Sequence, residues 1–257
     1  MTEWTPPSRI VPGTVLAGRY RVDEWVWMEF EKATWRGVDT ELGRTVGVRV
    51  ARFRSGGYSA IDSFRAQFEL LSAIDHPGVM HVYAVGSDPA ADAYLITEHI
   101  EPSSLVREGP MRPEHAMDVV AQAADALAAV HDSGVVYRNV KRGMIRRSDG
   151  TIVLFDFHRA RRAGSPDLGS RDALTDIYEL GEWVYFWLTG RRRRQPDPFH
   201  PYESPSWERP RGQKGQPPPP FVPIGVQSVV DRMLALEVKD RWPTASALAD
   251  AARSALA

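Results

Sequence analysis

Between Asp172 and Gly190 the sequence is apolar nearly all the way round a helix, with Ile177, Leu180, Trp183, Val184, Phe186, Trp187 and Leu188. Such a helix must be enclosed by other elements, so this segment forces a core built around it. Candidate neighbours are legible in the sequence. Pro113 suits a first helical turn, Ala116 to Val130 is a long Ala/Val/Leu helix stopped by Gly134, and Val226 to Leu236 and Thr244 to Leu256 supply two more. The densest apolar run, Trp183 to Leu188, is far shorter than the ~20 residues needed to cross a bilayer. Met1-Thr2-Glu3-Trp4 lacks the basic and apolar regions of a signal peptide. The sequence therefore predicts a soluble, cytoplasmic chain with no direct membrane insertion, or one domain of a longer parent tethered to the inner face of the membrane.

The N-terminal part follows a different period. From Tyr20 to Phe53 the runs are strand-like, and Val46, Val48 and Val50 alternate with other residues behind a turn at Gly43. Ile61, Phe64, Phe68, Leu71 and Ile74 recur at helical spacing up to Asp75-His76-Pro77, while Val79 to Val85 and Ala93 to Ile100 read as further strands. This predicts an α+β chain: a β-rich lobe of five strands and one main helix over residues 19–101, then a mostly helical lobe over 102–257. Pro6, Pro7, Pro12, Gly13 and Gly18 mark residues 1–18 as a flexible leader. Arg191 to Pro223 carries ten of the twenty prolines, which predicts an extended, partly polyproline surface segment. Thirty-two basic against 33 acidic residues leave a net charge of -1, so no whole-molecule field favours nucleic acid. With no cysteine there is no disulfide, thiolate nucleophile or cysteine-based zinc site. The seven histidines show no pair at metal spacing on one helix face, so no metal site is expected.

The succession Val46-Gly47-Val48-Arg49, helix, Asp75-His76-Pro77, Tyr137-Arg138-Asn139, Asp156-Phe157-His158, Thr175-Asp176-Ile177-Tyr178 and Asp240-Arg241-Trp242 resembles the bacterial Ser/Thr protein kinases of the actinobacterial type. Gly18-Arg19-Tyr20, the run Leu127 to His131 and Leu188-Thr189-Gly190 extend that resemblance over nearly the whole chain. It implies a bilobal protein-kinase-like fold, lobes joined near Glu98 to Pro102, with 191–223 in place of a short helix. It also implies where phosphotransfer groups should stand, and the sequence departs from the family at most of these positions.

The three glycines of the phosphate-binding turn fall on Trp27, Glu29 and Lys32, in a segment read instead as capping a hairpin. Glu29 and Glu31 would stand beside a triphosphate, where like charges about 4 Å apart repel by roughly 4 kcal/mol at an effective dielectric of about 20. Lys32 cancels part of this. The strand-three lysine falls on Arg49 and its helix glutamate on Gln67; Glu69 lies about 200° round the helix and does not replace it. The base of His-Arg-Asp falls on Asn139, whose carboxamide accepts no proton at neutral pH, a loss worth about 10²–10⁴ in rate. The metal-binding asparagine falls on Met144, a poor ligand for Mg²⁺, whereas Asp156 is present. His158 stands where the family has a glycine and is expected to fill the vacated nucleotide site. Six residues separate His158 from Ser165-Pro166-Asp167, so the activation segment is largely deleted.

The resemblance implies structural roles as well. Asp176 matches the aspartate that holds the catalytic-loop backbone; Leu71, Tyr137 and Phe157 match a hydrophobic stack; Arg241 matches the arginine that pairs with Ala-Pro-Glu, with Asp167 left to receive it. Arg49 and Asp156 are expected to pair. On these grounds the sequence predicts a catalytically inactive pseudokinase, not an enzyme, with no cofactor, acting as a signalling scaffold or regulatory protein-binding module. The chain is similar in its degeneracy to the kinase-like domain attached to peptidoglycan-precursor flippases, which implies control of cell-wall synthesis through an active Ser/Thr kinase and a forkhead-associated-domain protein. The alternatives are a nucleotide-binding pseudokinase and a weakly active atypical Ser/Thr kinase. Phe199, Tyr202 and Trp207, aromatics in the proline-rich segment, are the candidate partner interface. Arg191 to Arg194 reads as a solvated helix end.

Overall fold

The computed structural model describes residues 10–29, 32–51, 60–101, 104–105, 110–140, 143–168, 172–191 and 221–255. The chain divides into two compact units, Met1–Asp75 with Met80–Glu101 and His76–Val79 with Pro102–Ala257.

The first unit holds β1 (Val15–Leu16), β2 (Tyr20–Glu29), β3 (Lys32–Asp39), β4 (Arg44–Ala51), α1 (Ala60–Leu71), β5 (Val82–Asp88) and β6 (Ala91–Glu98). Its strands form one antiparallel sheet in the order β1-β2-β3-β4-β6-β5. β3 shows the alternation of a half-buried strand, with Ala33, Trp35, Gly37 and Asp39 turned inward. β4 is covered on both faces. Val46, Val48 and Val50 pack with Leu16, Val22, Trp35 and Ile96, while Ala51 packs with Ala93, Leu95 and Phe64 of α1. Gly43 closes the β3–β4 hairpin at φ 65°, a conformation a Cβ would strain.

The flexible leader expected over 1–18 is corrected for residues 10–18, while residues 1–9 lie outside the described residues, and the count of five strands is corrected to six. Ile10 and Leu16 are fully buried, and β1 pairs with β2 as Val15↔Arg21 and Leu16↔Tyr20. Gly13 and Gly18 take positive φ in turns that deliver those two side chains to the core. Punctuation residues there shape a sixth strand, and burial of two large aliphatic side chains outweighs the ordering entropy.

The same end of this sheet contains a buried carboxylate. Asp39 has no exposed side-chain surface and accepts hydrogen bonds from Arg19 Nε at 2.7 Å and Nη2 at 2.8 Å, with Arg44 Nε at 3.4 Å. The Arg19 hydrogen bond holds the carboxyl down to about 2, below the ordinary 3.8. Because the folded value lies below the unfolded one, this stabilisation is full above about pH 4 and is lost as pH falls towards 2. Melting temperatures measured between pH 6 and 2 are expected to fall across that window, with Asp39→Asn starting lower and falling less.

The second unit holds β7 (Ser104–Leu105), α2 (Pro113–Asp132), β8 (Val135–Val136), β9 (Met144–Arg146), β10 (Ile152–Leu154), β11 (Arg161–Arg162), α3 (Ala173–Thr189), α4 (Ile224–Met233) and α5 (Ala245–Ser254). Two small sheets, β10-β9-β7 and β11-β8, accompany the helices. α3 starts on a capping box in which Asp172 accepts from Thr175 N–H, and it stops at Gly190 in the left-handed region. Ile177, Leu180, Val184, Trp187 and Leu188 are fully buried, whereas Trp183 and Phe186, with Glu179 and Glu182, are only partly buried, so one side of the helix is not enclosed as the apolar pattern predicts. α2 and α4 lie against it. Among the described residues no helix is long and apolar enough to cross a membrane. Phe199, Tyr202 and Trp207, with the proline-rich segment that carries them, lie outside the described residues.

Candidate active site

In the second unit the loop after β8 is held by the first turn of α3. Asp176 is completely buried; its Oδ2 accepts the N–H of Tyr137 at 2.9 Å and its Oδ1 that of Arg138 at 2.7 Å. His131 Nε2, near the end of α2, lies 2.9 Å from Oδ2. Bonds to an ionised acceptor inside a low-dielectric core are the strong kind. They secure Arg138 at φ 63°, a strained conformation for a residue with a Cβ.

Tyr137 is the second fixed point. Its ring is fully buried, 4.6 Å from that of Phe157, and its hydroxyl is shared between the carbonyls of Gly143 at 2.6 Å and Phe155 at 2.5 Å. Burial first, and then the charges of Asp156 and Asp176, push the phenol well above its usual range, so it stays a neutral donor. A Cβ on Gly143 would collide with the Tyr137 hydroxyl and stand 2.6 Å from the Phe155 carbonyl. Close approach, not positive φ, requires glycine there.

The residues at the catalytic positions meet on this frame. Asn139 is 3% exposed, and its Nδ2 donates to the Asp156 carbonyl at 2.8 Å, with Asp156 Oδ2 at 3.4 Å. Asp156 sits at φ 57°, ψ 67°, and its Oδ2 is 2.8 Å from His158 Nδ1. The histidine is thus oriented by the aspartate two residues before it, with its side chain about 30% exposed. Met144 is buried on β9 opposite Leu154. Among the described residues no cluster of three or more His, Cys, Asp or Glu could hold a metal ion.

The remaining positions belong to the first unit. Trp27 stands opposite Thr34 and Glu29 opposite Lys32, so β2 and β3 run as paired strands through the positions where the family has glycines. Arg49 is 5% exposed on β4, between Thr34 and Leu95. Gln67 is buried on α1 and its Nε2 donates to the Ser63 carbonyl one turn back at 3.1 Å. Leu71 is buried at the end of the same helix.

Arg241, expected on Asp167, reaches the carbonyls of Ala235 at 2.9 Å, Leu174 at 3.3 Å and Leu236 at 3.4 Å. Its guanidinium also stacks 4.7 Å from the Tyr178 ring, and the Asp167 side chain lies outside the described residues. Sequence reasoning missed His131 and Gly143. His131 could have been found from its place at the end of the Ala-rich helix; Gly143 had no local signal, because its constraint is a tyrosine hydroxyl from another turn.

No protein-family model matches the chain. It is 28% identical over 270 residues to the serine/threonine-protein kinase PknA of Mycobacterium tuberculosis, across 93% of this chain and 62% of the relative. It is 27% identical over 281 residues to the serine/threonine-protein kinase pkn2 of Myxococcus xanthus, across 94% of this chain and 33% of that one. A third relative, PknL of Mycobacterium tuberculosis, is 27% identical over 202 residues, across 68% of this chain and 50% of the relative. The chain thus spans less than two thirds of the curated relatives it matches. The crystal structure of the Mycobacterium tuberculosis PknI kinase domain superposes with a TM-score of 0.70 at 20% identity, covering 96% of this chain and 99% of that one.

These relatives overturn the expectation that the chain is not an enzyme, because the sequences matching nearly its whole length are Ser/Thr protein kinases. The chain has the bilobal α+β fold of a protein kinase domain, and its relatives in sequence are bacterial serine/threonine protein kinases.

Proposed function

We propose that the chain is an atypical Ser/Thr protein-kinase domain that takes a magnesium-nucleotide as substrate and transfers its terminal phosphoryl group slowly. The observation that carries this reading is the intact frame of the catalytic loop: Asp176 holds the backbone of Tyr137 and Arg138, and Asn139 holds Asp156 in its left-handed conformation. Phosphoryl transfer has a loose transition state, so positioning and electrostatics supply most of the catalysis. The general base adds about 10²–10⁴. A chain that keeps the frame and puts an amide at the base position is therefore slowed rather than silenced.

Asp156 supplies the carboxylate for a metal ion that arrives on the nucleotide's phosphates, where the ion neutralises charge. Among the described residues, those around it do not form a resident metal site. Transfer of radiolabelled phosphate from ATP, for the wild type and Asp156→Asn, tests the reading. A second reading follows from the losses at Asn139 and Met144: slow turnover suits a regulatory module that works beside an active Ser/Thr kinase and a forkhead-associated-domain protein in cell-wall control. Co-purification with such partners, with and without changes at Tyr202 and Trp207, tests that role.

A further inference from the structure

The family's phosphate-gripping lysine is replaced by Arg49, yet the first unit offers another cation on the same face of its sheet. Residues directly opposite one another in an antiparallel pair point the same way. The pairs Lys32↔Ala51, Thr34↔Arg49, Arg49↔Leu95 and Ala51↔Ala93 therefore place Lys32, Thr34 and Arg49 on one face with Ala51, Ala93 and Leu95. Those three apolar residues pack against Phe64 of α1. Lys32 Nζ lies 5.7 Å from the centroid of the Phe64 ring, which puts the ammonium on this α1-facing side.

The two cations differ in how an incoming anion could meet them. Arg49 is 5% exposed in mid-sheet, flanked by β3 and β6. Lys32 is partly exposed at the first position of β3, opposite the small side chain of Ala51. An ammonium on a four-carbon stem is a compact, mobile point charge, unlike a planar guanidinium locked by packing. Its contact with Phe64 is of the weak, exchangeable sort, whereas a charge-assisted bond to phosphate is strong. The face also carries polar atoms without protein partners among the described residues: Thr34 Oγ1, opposite Arg49, is buried and makes no hydrogen bond, as is Gln67 Oε1 on α1.

We propose that Lys32, rather than Arg49, is the residue of the first unit that contacts the phosphates of the nucleotide, leaving the Phe64 ring to do so. This rests on the reading of the chain as a nucleotide-binding kinase domain.

Titration with a fluorescent ATP analogue and Mg²⁺, with a melting curve for each variant, tests the assignment. Lys32→Met is expected to raise the dissociation constant tenfold or more, and by more than Arg49→Met does, while moving the melting temperature little. Lys32→Arg should retain most of the affinity. Wild-type binding that survives Lys32→Met unchanged would overturn the assignment alone. So would a fall in melting temperature with no change in affinity, the mark of a strand-to-helix staple. No saturable binding by the wild type would overturn both this inference and the reading beneath it.

Discussion

Replacing Asp176 by Ala is expected to lower the melting temperature by about 10 °C, the largest effect of any single substitution in the second unit. The carboxylate receives two backbone N–H groups and faces His131, all inside the core. Removing one partner of a buried charged network typically costs about 3–5 kcal/mol, because the other partners are left without compensation. For a domain of this size each kcal/mol is worth about 2–4 °C. Asp176→Asn should lie between the two, since its oxygen still accepts one N–H while its amide opposes the other. A thermal melt followed by circular dichroism checks the order wild type, Asn, Ala; a shift below about 2 °C for Ala would show that the loop holds itself.

Gly143→Ala is expected to be nearly as damaging, and for a steric reason. The added methyl meets the Tyr137 hydroxyl and the Phe155 carbonyl together, so the phenol must leave the two carbonyls that it satisfies. Overpacking of this kind costs about 1–3 kcal/mol, and the Phe155 carbonyl left without the hydroxyl adds about 1 kcal/mol or more, while the Gly143 carbonyl keeps the Phe155 N–H at 2.7 Å. Tyr137→Phe removes the colliding oxygen at the cost of those hydrogen bonds. The double variant Gly143→Ala, Tyr137→Phe should therefore be more stable than the sum of the single changes predicts, by about 1 kcal/mol or more. Additive losses in denaturant unfolding would mean that the two positions do not meet.

The fold was legible where the pattern was periodic. α3 could be placed from its dense run of large apolar residues, and β4 from the alternation of Val46, Val48 and Val50. β1 was hidden, because a two-residue strand has no period and its flanking glycines look like a tail. At the candidate site order and spacing give the positions, whereas the contacts of each residue depend on turns that a linear reading does not show. Asn139 reads as a lost base in sequence; in three dimensions its amide nitrogen is the donor that fixes Asp156. His158 reads as a bulky replacement for glycine, whereas its imidazole pairs with the carboxylate beside it. Both roles depend on a backbone carbonyl or carboxylate brought near by a left-handed turn at Asp156, and no local pattern announces that turn.

The proposed kinase activity requires that this frame still transfers phosphate. Label is followed from radioactive ATP with Mg²⁺ or Mn²⁺ into the protein itself and into a generic protein substrate, for the wild type and for Asp156→Asn. Measurable transfer is expected for the wild type, about 10²–10⁴ slower than a kinase with its general base, appearing on serine or threonine and lost in Asp156→Asn. Transfer at background for the wild type, or transfer that persists undiminished in Asp156→Asn, would contradict it.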